Sequence, residues 1–229
     1  MAAELAKDPD IEGVLLYGSV ARGDTSDSSD IDLLVIGARG ERTTRDLRRA
    51  VALLDPDGRA SFVFHTGETF DGIVRDGSRF LVHLRLEGQA LLDRSGRLAR
   101  FMGGPWTPVS VEEEIATELA RLANYRRPEV FGGRFLFALA HVFTIGKAIV
   151  MARLADEGLF EFNRRKAFCE FVLRHPAAEA DVNEIASLEP FRARTRREPQ
   201  VLPYEPTGDR GAEGLRRGVA AVYRVASAR

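Results

Sequence analysis

Two carboxylates that open an apolar strand, a short way after a glycine–serine turn, constrain this chain more than anything else in it. Val14, Leu15 and Leu16 form an apolar run that stops at Gly18, as a core strand does before a turn. Glycine at that point lets a large ligand group approach the backbone, and Ser19 adds a hydroxyl and an amide. A turn with free N–H groups is an anion cradle. A polar loop then leads into Asp30, Ile31, Asp32, Leu33, Leu34, Val35 and Ile36. Side chains alternate along a strand, so Asp30 and Asp32 share one face while Ile31 and Leu33 take the other. Carboxylates held this close repel unless a cation sits between them. Their oxygens suit Mg²⁺, which takes one or two carboxylates plus substrate phosphates. Phosphate cradle and metal carboxylates together point to phosphoryl or nucleotidyl transfer. The plain alternative for Thr25 to Asp32 is a solvated acidic turn.

Gly18-Ser19-x-Ala21-Arg22-Gly23-Asp24, then Ser29-Asp30-Ile31-Asp32-Leu33, resembles the signature of the nucleotidyltransferase superfamily that includes DNA polymerase β. More narrowly it is similar to the small bacterial nucleotidyltransferases of the minimal and antibiotic-modifying kinds. The resemblance covers only about the first ninety residues. It implies a mixed-sheet palm, an NTP donor (ATP foremost), two Mg²⁺ ions, and attack by an acceptor oxygen on the α-phosphate. It further implies that Gly18 and Ser19 contact the triphosphate and that Asp30 and Asp32 hold the metals. Arg22 would brace the loop or pair with phosphate.

The same resemblance predicts a third carboxylate on the third strand, as metal ligand or as base for the acceptor hydroxyl. The matching position holds Ser61, which cannot carry the charge. Glu68, Asp71 and Glu87 are candidate substitutes, with Glu112 to Glu114 further on. His65, at the end of that strand, is a candidate acid–base group or a strand-end residue with a local hydrogen bond.

The chain of 229 residues has room for one large or two small domains. A formal charge of -1 supplies no global field to steer nucleic acid, so a long nucleic acid is not an expected partner. Cys169 is the single cysteine, which rules out an intrachain disulfide and is compatible with a reducing cytoplasm. Beside Phe168 and Phe171 it reads as a buried structural thiol. Met1 to Asp10 lacks the apolar core of a signal peptide, and no uninterrupted apolar stretch spans a bilayer, so a cytoplasmic, membrane-free protein is expected.

Along the chain, residues 2–8 suit one or two helical turns, followed by strands near 12–17, 30–37 and 60–65. Thr43 or Thr44 can cap a helix to Leu54, with Arg39 or Arg42 as candidate triphosphate contacts and a solvated helix face as the alternative. Helices are expected over 67–76 and 78–87, the second with Phe80, Leu81, Leu84 and Leu86 inward, then a last strand over 88–93. The glycine- and proline-dense stretch from Met102 to Pro108 divides a palm, residues 1–102, from a helical domain, residues 109–229. The whole is an α+β fold with an all-α C-terminal bundle.

That bundle opens on a capping box, Ser110-x-x-Glu113. A long helix, Arg134 to Ala155, is apolar on most sides and belongs at a bundle centre or a dimer interface. Helices near 163–174, 178–188 and 211–227 bring the expected total to about five. Arg134 and His141, placed two turns apart on one face, resemble the Arg-x4–6-His pattern of HEPN-type helical domains, some of which are RNases. The plain reading is a satisfied polar edge. Arg192, Arg194, Arg196 and Arg197 read as a solvated helix end or as a phosphate contact.

Besides an RNase built on Arg134 and His141, two functions from different classes follow. One is a metal-dependent nucleotidyltransferase acting on a hydroxyl of a small molecule, such as an aminoglycoside, or of a protein side chain. In relatives of this two-part layout the helical domain helps bind the acceptor, and here it is also the expected surface for a protein partner or a homodimer. The other is a nucleotidyltransferase fold impaired at Ser61, serving as a nucleotide sensor or an antitoxin-like binding module.

Overall fold

A computed structural model describes residues 2–24, 31–37, 60–77, 79–105, 107–108, 110–195 and 201–228. Asp30, Arg39, Arg42 and the helix expected up to Leu54 lie outside the described residues. The chain divides into two compact units, Met1–Val109 and Ser110–Arg229.

The first unit runs α1 (Ala2–Leu5), β1 (Ile11–Tyr17), α2 (Gly18–Arg22), β2 (Ile31–Gly37), β3 (Ala60–Thr66), α3 (Gly67–Asp76), α4 (Arg79–Glu87), β4 (Gln89–Asp93) and α5 (Arg97–Gly103). The sheet order is β3-β2-β1-β4. β1 is antiparallel to β2 and β4, whereas β2 and β3 are parallel, so the sheet is mixed. The two inner strands carry continuous apolar runs at residues 14–17 and 33–36 because both of their faces are covered there. On one face Leu15, Tyr17, Leu34 and Ile36 pack against Phe70 of α3, Leu81 and Leu84 of α4, and Leu98 and Phe101 of α5. On the other, Ile11, Val14, Leu33, Val35 and Phe64 gather with Leu5 of α1. A bulge at Glu12, between Ile11 opposite Gly37 and Gly13 opposite Ile36, turns that carboxylate to the Arg97 guanidinium.

Several details depart from the sequence reading. The glycine–serine turn opens the short helix α2, and the polar loop expected after it lies outside the described residues. Leu86 is 60% exposed, since Leu81 and Leu84 already fill the inward side of α4. α5 was not foreseen; its buried Leu98 and Phe101 close the helical face of the sheet.

The second unit contains α6 (Val111–Leu122), α7 (Leu136–Asp156), α8 (Arg164–Arg174), α9 (Glu179–Ala186), α10 (Glu189–Thr195) and α11 (Gly208–Ser227). Six α-helices are thus present among the described residues, α10 being the addition to the expected set. The capping box forms in full: Ser110 Oγ accepts from the Glu113 amide, and the Glu113 side chain accepts from the Ser110 amide.

α7 is the central helix, with 11 of its 21 residues buried. Gly146 lets it approach its neighbours, because a Cβ there would lie 2.8 Å from Ile185 Cγ2 of α9 and 3.0 Å from Val222 Cγ2 of α11. By length and composition α7 could also cross a membrane, a test that a buried core helix passes as well. Lys147 and Arg153 interrupt its apolar run and hid that property from the sequence.

Two corrections fall in this unit. Cys169 is exposed, since Ala167, Phe168 and Phe171 take the core side of α8 and leave the thiol on the outer side. Arg134 precedes α7 and sits in a bridge to Thr207, so it does not share a helical face with His141.

Candidate active site

The candidate site lies where β1 ends and β2 begins. Tyr17 is paired with Asp32 across the antiparallel ladder, and Gly18 follows at once as the first residue of α2. Gly18 has φ +76°, a conformation that L side chains rarely adopt, and a Cβ there would overlap Asp32 Oδ2. Glycine is therefore required twice, by the backbone and by the carboxylate that rests against it. Ser19 follows in the same turn of α2.

Asp32 is half-buried and in step with Leu34 and Ile36, so it faces the α3–α5 side of the sheet. Ser61 stands in register with Asp32 on the neighbouring parallel strand. It is in step with Val63, which packs on the same face, so the serine hydroxyl is directed to the side occupied by Asp32. The position at which a third carboxylate was expected is thus the structural neighbour of Asp32, and it carries a hydroxyl.

None of the first-unit substitutes takes that place among the described residues. His65 shares the face of Ser61 but lies four residues along β3, about 13 Å away. Its burial lowers its pKa from the ordinary imidazole value. Asp71 accepts from Arg97 Nε at 3.0 Å, and Arg97 also pairs with Glu12, whose strand position is next to that of Gly37 rather than Asp32. Glu68 is in the first turn of α3, just after Thr66 at the far end of β3. Glu113 is engaged in its capping box in the second unit.

Arg22 and Glu87 belong together instead. Arg22 donates from Nη1 to Glu87 Oε2 at 2.6 Å and from Nε to Asp24 Oδ1 at 3.1 Å. Burial opposes the charge of Arg22, but the pairs with Glu87 and Asp24 outweigh it and raise the guanidinium pKa above its ordinary value. Of the two roles left open for Arg22, the contacts present are those of a brace. His83 Nε2 meets the same Glu87 oxygen at 2.6 Å, from one turn earlier on α4. The His83 ring stands edge-on to Tyr17, and Gln89 Nε2 donates to the Ala21 carbonyl at 2.8 Å. The i,i+4 spacing of His83 and Glu87 was visible in the sequence, but nothing there linked it to Arg22.

In the second unit, Tyr125 Oη and His141 Nδ1 share a hydrogen bond at 2.6 Å, and the Tyr125 ring stacks on Phe131. Among the described residues no group of three or more His, Cys, Asp or Glu is arranged to hold a metal ion. At the head of β2 the described carboxylate is that of Asp32, while Asp30, expected from the sequence pattern to share its face, lies outside the described residues. A carboxylate beside a glycine cradle suits the chemistry of Mg²⁺, which takes one or two carboxylates along with phosphate oxygens and water.

Comparison with known proteins bears on this corner. Residues 1–64 match the family described as Polymerase beta, Nucleotidyltransferase. A solved structure described as "Crystal structure of the toxin-antitoxin with AMP-PNP" is similar at 15% identity, with a TM-score of 0.33, over 44% of this chain and 77% of that one. Curated protein sequences give no match. The matched residues contain the Gly18–Ser19 turn, Asp30, Asp32 and Ser61, and the strands β1, β2 and β3 within or reaching into that stretch pair as a mixed sheet. The Gly18–Asp32 corner thus lies within the residues that match the polymerase beta nucleotidyltransferase family.

Proposed function

We propose that this protein binds an NTP, ATP foremost, in its first unit and transfers the nucleoside monophosphate to a hydroxyl of a small molecule or protein side chain. The observation that carries this reading is the contact of the Gly18 turn with the Asp32 carboxylate at the head of β2. Asp30 and Asp32 would hold Mg²⁺, which when bound neutralises charge developing on the phosphates. Gly18 and Ser19 would receive the β- and γ-phosphates, and Arg22 keeps their turn in place. The acceptor oxygen bonds to the α-phosphorus as the bond to the β-phosphate oxygen breaks and pyrophosphate leaves. The proton lost by the acceptor needs a base, and the hydroxyl of Ser61 is not one at neutral pH. The helical unit would bind the acceptor or a protein partner, in the cytoplasm where NTP and Mg²⁺ are supplied.

The register of Ser61 with Asp32 favours a second reading, a nucleotide-binding module with little or no transfer. One experiment separates the two. Pyrophosphate release is measured from each NTP with Mg²⁺, against a panel of aminoglycosides and a bacterial lysate, for wild type, Asp30→Asn and Asp32→Asn. Release lost in both variants supports the transferase. Nucleotide binding without release supports the module. Release that survives both substitutions refutes the assigned site.

A further inference from the structure

The strongest unassigned feature near the site is the buried end of α4. We infer that Glu87 is a positioning residue of the nucleotide site, acting through Arg22 to hold the Gly18–Ser19 turn against Asp32. This rests on the nucleotide-binding reading given above.

The path is continuous in the structure. The Ser19 carbonyl accepts from the Asp24 amide at 3.1 Å. The Asp24 carboxylate accepts from Arg22 Nε, and Arg22 Nη1 reaches Glu87. Glu87 has a side chain only 10% exposed, and His83 Nε2 lies 2.6 Å from the oxygen that meets Arg22. Tyr17 and Phe80 both stand edge-on to the His83 ring, at 5.5 and 6.4 Å between centroids. A second tie, from Gln89 to the Ala21 carbonyl, crosses to the same helix.

α2 is too short to be stable as a helix alone, so these ties to α4 and β4 determine where it lies. The charge count agrees with a bracing role. Two carboxylates contact the single guanidinium of Arg22, which leaves Arg22 neutralised rather than poised as a lone cation for phosphate. A ligand would therefore feel Glu87 through the position of the turn rather than by contact with Glu87.

The test uses the full chain with MgATP as probe, in wild type, Glu87→Gln, Arg22→Met, the double variant, and Glu12→Gln. The last removes a comparable ion pair with Arg97 at the far end of β1. Two readouts are taken: calorimetric MgATP affinity, and hydrogen exchange of amides 18–24 in the free protein. Glu87→Gln should weaken MgATP binding about tenfold, the scale seen when a supporting partner of a ligand group is lost. The double variant should be no weaker than Arg22→Met, because both act along one path. Exchange of amides 18–24 should quicken in Glu87→Gln and stay at the wild-type rate in Glu12→Gln. Unchanged exchange in Glu87→Gln overturns the inference, as does an additive double variant. Failure of wild type to bind MgATP overturns the functional reading instead, and the exchange comparison still decides the role of Glu87.

Discussion

Placing a carboxylate at position 61 tests the geometry of the site and its chemistry together. Ser61 is in register with Asp32, and neighbouring strands lie about 4.8 Å apart, so a Ser61→Asp carboxylate would come within about 5 Å of Asp32. Two unit charges at that separation repel by about 3 kcal/mol at an effective dielectric of 20 and by about 1 kcal/mol in water. Asp32 is half-buried, so the cost falls between these limits. For a unit of this size the melting temperature in EDTA should drop by about 5 °C or more. Ser61→Asn, similar in size and uncharged, should drop much less. A divalent cation that bridges the carboxylates returns about 2.7 kcal/mol at a hundred times its dissociation constant, so Mg²⁺ should restore Ser61→Asp selectively. If the new carboxylate also serves as base, transfer should rise by at least about 10²-fold. Thermal melts of both variants in EDTA and in Mg²⁺ provide the check. Equal melting of the two in both conditions would refute the claim that position 61 faces the Asp32 carboxylate.

Three further outcomes are expected. Gly18→Ala places a Cβ on Asp32 Oδ2 in a left-handed backbone, so nucleotide binding should be lost and stability should fall by at least about 1–2 kcal/mol; near-native affinity by calorimetry would count against the cradle. His65 has a folded pKa below its unfolded value of 6.5, so the unfolded state binds more protons and stability should rise as pH climbs toward 6.5. His65→Gln should remove that rise, and superimposable stability–pH curves for variant and wild type would dispose of it. Gly146→Val forces α7 away from Ile185 and Val222 and should cost about 1–3 kcal/mol by chemical denaturation, while unchanged stability would mean that the helices are not so close.

What the sequence disclosed depended on how local each signal was. β1, β2 and β3 were legible because apolar runs bounded by glycine and carboxylates have few alternative foldings, and α6 announced itself through Ser110 and Glu113. Arg97–Gly103 and Glu189–Thr195 were missed because each is a short helix whose two or so buried side chains fall below any periodic signal. Arg134 was drawn into α7 by its apolar neighbours, although Gly132 and Gly133 hold the chain in left-handed turns until Phe135. Cys169 was judged by adjacent residues rather than by helical angle, and a step of 100° separates the inner side from the outer. At the site, Ser61 was identified by position. The pairing of Arg22 with Glu87, 65 residues apart, depends on tertiary packing that no spacing rule encodes.

The outward thiol on α8 has a practical consequence. Cys169 is the single cysteine of the chain and is exposed, so air oxidation can cross-link two copies through one disulfide and imitate a native dimer. Sizing by chromatography should be run with and without reductant before any homodimer is credited to the apolar packing of helices. The same chemistry makes Cys169 a ready attachment point for one maleimide fluorophore or spin label. It lies outside residues 1–64, the part that matches the nucleotidyltransferase family, so a labelled sample would report on the helical unit with the Gly18 turn chemically untouched.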